Sequence, residues 1–200
     1  MNETPNDASQ NDVLRIDPAA ALRIEPLMAD LTSDNGQLRE RARTELVTIG
    51  PLAVPSLIMA VAHPNKNVRW EATKALGEIG DPSAADALVA ALEDDIFDVR
   101  WLAAEGLIRL GPTALEPLLQ ALTVRSESLW LRQGAHHILS HFAKKDTKAE
   151  HHELGHPHRV PPGLKELAQP LFDALNDVAS PMTVPVAARM LLDKLKAARS

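Results

Sequence analysis

In a chain without cysteine, the eight histidines are the residues whose spacing could do metal chemistry. His137 and His141 stand four apart, which sets two imidazoles on one face of a helix and within reach of one ion. His151, His152, Glu153, His156 and His158 follow in a polar, proline-rich run from Lys144 to about Gly163. A tetrahedral zinc site needs three or four convergent ligands oriented by further hydrogen bonds. A run this polar reads more simply as a solvated surface loop. No metal and no cofactor is therefore assigned, and His137, His141, His151 and His152 are kept as candidate ligands only. The chain contains no Gly-rich phosphate loop, no G-x-S-x-G elbow and no paired-carboxylate arrangement, so no catalytic residue is assigned either.

The elements that carry these residues follow from composition and repetition. Hydrophobic residues make up 45% of the 200, enough for a real core, whereas aromatics are only 3%, with three Phe, three Trp and no Tyr. Dominance of Ala and Leu favours closely packed helices over a sheet. A net charge of −6 and a pI near 5.7 argue against a surface that tracks phosphates, and nucleic acid is not an expected partner. No stretch reaches the roughly 20 apolar residues of a membrane span, and the absence of cysteine fits a reducing compartment, so the expectation is a cytoplasmic protein with no membrane partner. Residues 1–17 carry too little apolar content to offset chain ordering and are expected to form a tail, leaving one domain over 18–200.

Four segments align on an arginine: QLRERARTELVTIG, NVRWEATKALGEIG, DVRWLAAEGLIRLG and WLRQGAHHILSHFA. Arg39, Arg69, Arg100 and Arg132 stand 30, 31 and 32 residues apart. The third residue after each is Ala42, Ala72, Ala103 or Ala135, and the seventh is Leu46, Leu76, Leu107 or Leu139. With Ile49, Ile79, Leu110 and Phe142 three further on, these positions form one stripe of a 3.6-residue helix. Gly50, Gly80 and Gly111 close three of these helices, where a left-handed residue is needed. A first helix precedes each, over 26–31, 57–61, 87–92, 117–122 and 170–175. Pro55 and Pro117 predict that their helices bend or start late there. A fifth pair keeps the stripe in Val184, Ala188, Leu192 and Leu195 but has Pro185 at the arginine position, as a capping unit would. The prediction is an all-α solenoid of about five helix pairs, interrupted by an insertion at about 144–163.

This pattern, D-x-V-R-x-x-A-x-x-x-L-x-x-[IL]-G, resembles the HEAT repeat family, and within it the short repeats of phycobilin-lyase-like proteins. The resemblance runs from about Ala20 to Ala198 and is closest in Val68–Gly80 and Asp98–Gly111. It implies an α-solenoid whose second helices line a concave face. It also implies two uses: a protein-binding scaffold, or a tetrapyrrole-binding protein of the lyase type. The iron-holding His-Glu pairs of the HEAT-type deoxyhypusine hydroxylase are absent, since Trp70-Glu71, Trp101-Leu102 and Gln133-Gly134 stand at those positions.

In that register the concave face carries Trp70, Glu71, Lys74, Trp101, Leu102, Glu105, Arg109 and His137. Trp70 and Trp101 occupy equivalent places on adjacent repeats. Either they form an exposed apolar anchor for another protein, as Trp does at binding hot spots, or they pack across the seam between repeats. Self-association through the same groove is a further expectation. Arg39, Arg69, Arg100 and Arg132 read as a structural ladder, each bonded to the residue two before it, as Asp98–Arg100 and Asn67–Arg69 suggest.

Overall fold

The computed structural model describes residues 18–146, 163–176 and 183–198. The expected tail over 1–17 and most of the expected insertion lie outside them. Among the described residues the chain is all-α: α1 (Pro18–Asp30), α2 (Gly36–Ile49), α3 (Val54–Ala60), α4 (Lys66–Ile79), α5 (Ala85–Ala91), α6 (Phe97–Leu110), α7 (Leu115–Val124), α8 (Leu129–Asp146), α9 (Leu164–Asn176) and α10 (Thr183–Ala197). Among the described residues no helix is long and apolar enough to cross a membrane. The second helices α2, α4, α6 and α8 stack in series, and the first helices α1, α3, α5 and α7 form the other layer of the solenoid.

The repeated stripe is the core. Ala42, Ala72, Ala103 and Ala135 are buried, as are Leu46, Leu76, Leu107 and Leu139. At the α4–α6 crossing the backbones come closer than alanine allows. A Cβ built on Gly77 would lie 3.0 Å from the Gly106 Cα. Helix ends follow the residue that comes next. Gly80, followed by Asp81, is left-handed at φ 71, ψ 23. Gly50 and Gly111 precede prolines, whose Cδ disfavours a helical ψ on the residue before, and they swing to ψ −136 and −149 at positive φ. A 3-10 turn then leads into the next helix at Gly50–Ala53, Pro82–Ala84 and Gly111–Ala114, so α3 and α7 start late, with Pro55 and Pro117 in their first turns.

The arginine ladder exists, but its partners differ from those expected. Arg39 donates to the carbonyls of Ser33 (2.8 Å) and Asp34 (3.1 Å). Arg69 donates to those of His63 and Pro64, both at 3.2 Å. Arg100 donates to those of Asp94 (2.7 Å) and Asp95 (3.2 Å). A helical side chain lies over the turn before its own Cα, so these guanidiniums reach back to the loop rather than to Asp98 or Asn67. The same loop residues close the turn from inside: Ser33 Oγ, His63 Nδ1 and Asp94 Oδ1 accept the N–H groups of Asn35, Asn65 and Ile96. Arg69 also crosses to the next repeat, donating to Asp94 at 2.6 and 3.0 Å and to Asp95. Burial pushes the Asp94 carboxyl up. The Arg69 guanidinium and the Ile96 N–H outweigh it and hold the group below the usual carboxylate range.

The fifth pair is inverted. α9 packs against α8 and so continues the second-helix layer, while α10 packs against α7 and α9 and continues the first. Arg132 accordingly reaches past its own loop to the Leu175 carbonyl at 3.2 Å, and Lys196 meets Glu116 at 3.0 Å. The stripe of α10 is buried as predicted, yet α10 is not the second helix of a regular pair. In the regular units a 3-10 turn, or a few residues around one, returns the chain to the first layer. Here residues 147–163 intervene, and α8 itself runs through Lys144 to Asp146, which were expected in the insertion.

Two outcomes follow. Gly→Ala in an exposed helix interior gains about 1 kcal/mol. G77A should instead lose about 1–2 kcal/mol in urea denaturation, because the Gly106 backbone must move. A stabilised variant would show that the crossing is loose. Asp94→Asn should cost about 1.5–3 kcal/mol at neutral pH. Because the folded-state pKa of Asp94 lies below its unfolded value of about 3.9, its contribution is complete above that value and is lost as pH falls through the folded one. The difference between wild type and variant should therefore shrink below about pH 4; a constant difference would mean that charge is not its source.

Candidate functional site

The second-helix layer presents its side chains in the expected register, with one clear departure. Glu71 is buried, although it borders the groove between α2 and α6. It accepts from Arg43 Nε at 2.9 Å and stands 3.6 Å from Arg39, while Arg43 also meets Glu78 at 3.0 Å. A buried carboxylate costs several kcal/mol unless it is paired, so the α2–α4 seam takes up Glu71 together with Arg43. Arg43, four residues after Arg39, was not picked out from the sequence because nothing local marks a cation in the core stripe.

The two tryptophans are not a stacked pair. Trp70 is half-buried against the core with the Lys74 ammonium 4.9 Å over its ring. Trp101 is 48% exposed and tilts against His137 on α8, with centroids 5.2 Å apart. The His137 Nε2 lies 3.4 Å from Glu105 Oε1. Leu102 is half-buried and Arg109 is exposed. Trp70 thus packs partly against the core, whereas Trp101 stands at the surface.

The structure adds two rings to the Trp101 side. Phe97 and Trp130 are 64% and 40% exposed, and the Arg100 guanidinium lies 5.7 Å from the first ring centroid and 4.5 Å from the second. Arg100 therefore holds its own loop and orients aromatics from two successive repeats. Phe97 and Trp101 share a helix face at a spacing of four, a signal present in the sequence; Trp130 joins them through the α6–α8 contact alone. Next to this cluster, a groove of about 550 Å³ runs from α2 to the start of α6, lined by Arg39, Arg43, Lys66, Trp70, Lys74 and Asp98 among others.

No group of three or more potential metal ligands occurs among the described residues. His141 is half-buried with its ring edge on Phe142, and His137 is engaged by Trp101 and Glu105. His151 and His152 lie outside the described residues.

Residues 24–107 match the family model of HEAT repeats. The chain is 36% identical over 86 residues to a bilin biosynthesis protein, RpcF, of Synechococcus sp. (strain WH8020), across 42% of this chain and 41% of that protein. It is 37% identical over 94 residues to a phycocyanobilin lyase subunit beta of Nostoc sp. (strain PCC 7120), across 46% and 47%. The chain thus spans less than half the length of the curated relatives it matches. Among solved structures, the complex of CpcE and CpcF of phycocyanin lyase from Nostoc superposes with a TM-score of 0.48 at 25% identity, covering 85% of this chain and 98% of that one. An engineered protein superposes with a TM-score of 0.41 at 20% identity, covering 87% and 79%. The match to the HEAT-repeat model thus runs from α1 into the body of α6.

Proposed function

We propose that the chain is an interaction module that takes a helical or extended segment of another protein along the face formed by α6 and α8. One observation carries this reading. The chain has six aromatic residues, and Phe97, Trp101 and Trp130, half of them, stand exposed on two adjacent helices. Leu and Ala fill the core without them, so the rings are spared for contact, and rigid rings anchor a partner at low entropic cost. Glu105, His137 and Arg109 supply a polar rim. The module acts in the cytoplasm, and no step of bond-making is assigned to it.

The similarity to bilin lyase subunits favours a second reading, in which the groove beside Trp70 holds a linear tetrapyrrole. Its volume of about 550 Å³ lies within the range of small-molecule sites. Lys66 and Lys74 would meet the tetrapyrrole's carboxylates, and Trp70 would stack on a pyrrole ring.

The two readings separate experimentally. F97A/W101A/W130A should keep the fold, losing less than about 2 kcal/mol, because the rings are exposed. It should weaken capture of the partner held by immobilised wild type at least about 30-fold, the scale of one strong anchor. Undiminished capture would remove the surface from the proposal. In the second experiment, phycocyanobilin titrated into wild type should change its visible absorption, and W70A/K74A should weaken that binding about 10-fold or more. An unchanged spectrum would sink the tetrapyrrole reading and leave the first untouched.

A further inference from the structure

A solenoid repeat whose outer face stands exposed is expected to carry polar residues there. The end face formed by α9 and α10 departs from this. Val186, in the first turn of α10, and Met190, at its middle, are 62% and 50% exposed. They line a groove of about 530 Å³ between α9 and α10, together with Pro170, Asp173, Ala174 and Ala187. The inversion of the fifth pair creates this surface, because it turns α10 into the first-helix layer, where among the described helices it packs chiefly on α7 and α9.

The charges bordering the patch point to its occupant. Arg189 and Asp193 flank Met190 on one side of α10 and face each other at 3.4 Å within the helix, both largely exposed. When a helix packs antiparallel against a copy of itself, residues on one flank meet the same flank of the copy. A two-fold axis passing close to Met190 therefore sets each Arg189 opposite the second copy's Asp193, with the two Met190 side chains in contact between them. The patch is self-complementary in charge as well as apolar, which is what an isologous interface requires.

We propose that the α9–α10 end face is a self-association surface through which two copies of this chain join tail to tail, with α10 antiparallel across the axis. This leaves the α6–α8 face open on both copies, so the inference does not depend on the docking role given to that face.

Sedimentation of the full chain tests it. Wild type should be dimeric by about 100 µM, where even a weak specific interface is populated. M190E, at an exposed position, should keep the helical circular dichroism and melting curve and weaken the dimer at least about 10-fold. R189E and D193R should each weaken it, and R189E/D193R should restore it, since the swap rebuilds the cross-pairs. A monomeric wild type, or a dimer indifferent to M190E, overturns the proposal. Failure of the double swap to restore association overturns the antiparallel arrangement. Loss of the dimer in F97A/W101A/W130A but not in M190E would move the interface to α6–α8 and overturn it as well.

Discussion

Contact between the backbones of α4 and α6 at Gly77 and Gly106 governs how the array is built. A single helix pair buries only one side of its apolar stripe. Stability comes from stacking pairs so that Ala72, Leu76, Ala103 and Leu107 lose contact with water on both sides. Stacking at this separation requires small residues where the axes cross. Two glycines inside helices are each unfavourable by about 1 kcal/mol in isolation. The layers they bring together offset that cost through denser packing.

A core this tight has little room for large rings or stray charges, and that shapes the surface. Phe142 is the one aromatic side chain among the largest fully buried residues, whereas Trp70 stays half-buried at the seam and Phe97, Trp101 and Trp130 remain outside. Charge enters the α2–α4 interior as a set. Arg43 and Glu71 pair there, with Arg39 and Glu78 beside them, and removing either member of the buried pair would leave a desolvated ion. The loop arginines work by another route. Arg39, Arg69 and Arg100 each satisfy two carbonyls of the turn before their helix, and through Arg69 the second loop is tied to the third. Arg100 carries this logic to the surface, where the charge that holds a loop also orients two rings.

The array is regular as long as the connections are short. A 3-10 turn returns the chain from one layer to the other, so alternation is imposed by reach. Between α8 and α9 that restraint is gone, and packing alone decides where each helix lies. α9 continues the layer of α8, and α10 closes on α7. The exposed α10 face and the groove beside it are consequences of this reversal.

The sequence by itself determined what is periodic. Helix identity, the buried Ala and Leu positions and the terminal glycines all follow from residues within a turn or two of each other, and the solenoid architecture follows from their repetition. The exposure of Trp101 was within reach of the same register. Other features depended on contacts between segments distant in the chain, which local pattern does not encode. The burial of Glu71 required Arg43 from the neighbouring repeat. The grouping of Trp130 with Phe97 required α8 to lie against α6. The arginines' choice of loop carbonyls over Asp98 and Asn67 required the reach of a side chain back along its own helix. The inversion of the last pair had no local signal, because α9 and α10 each present an apolar stripe that either layer could bury, and only tertiary packing selects between them.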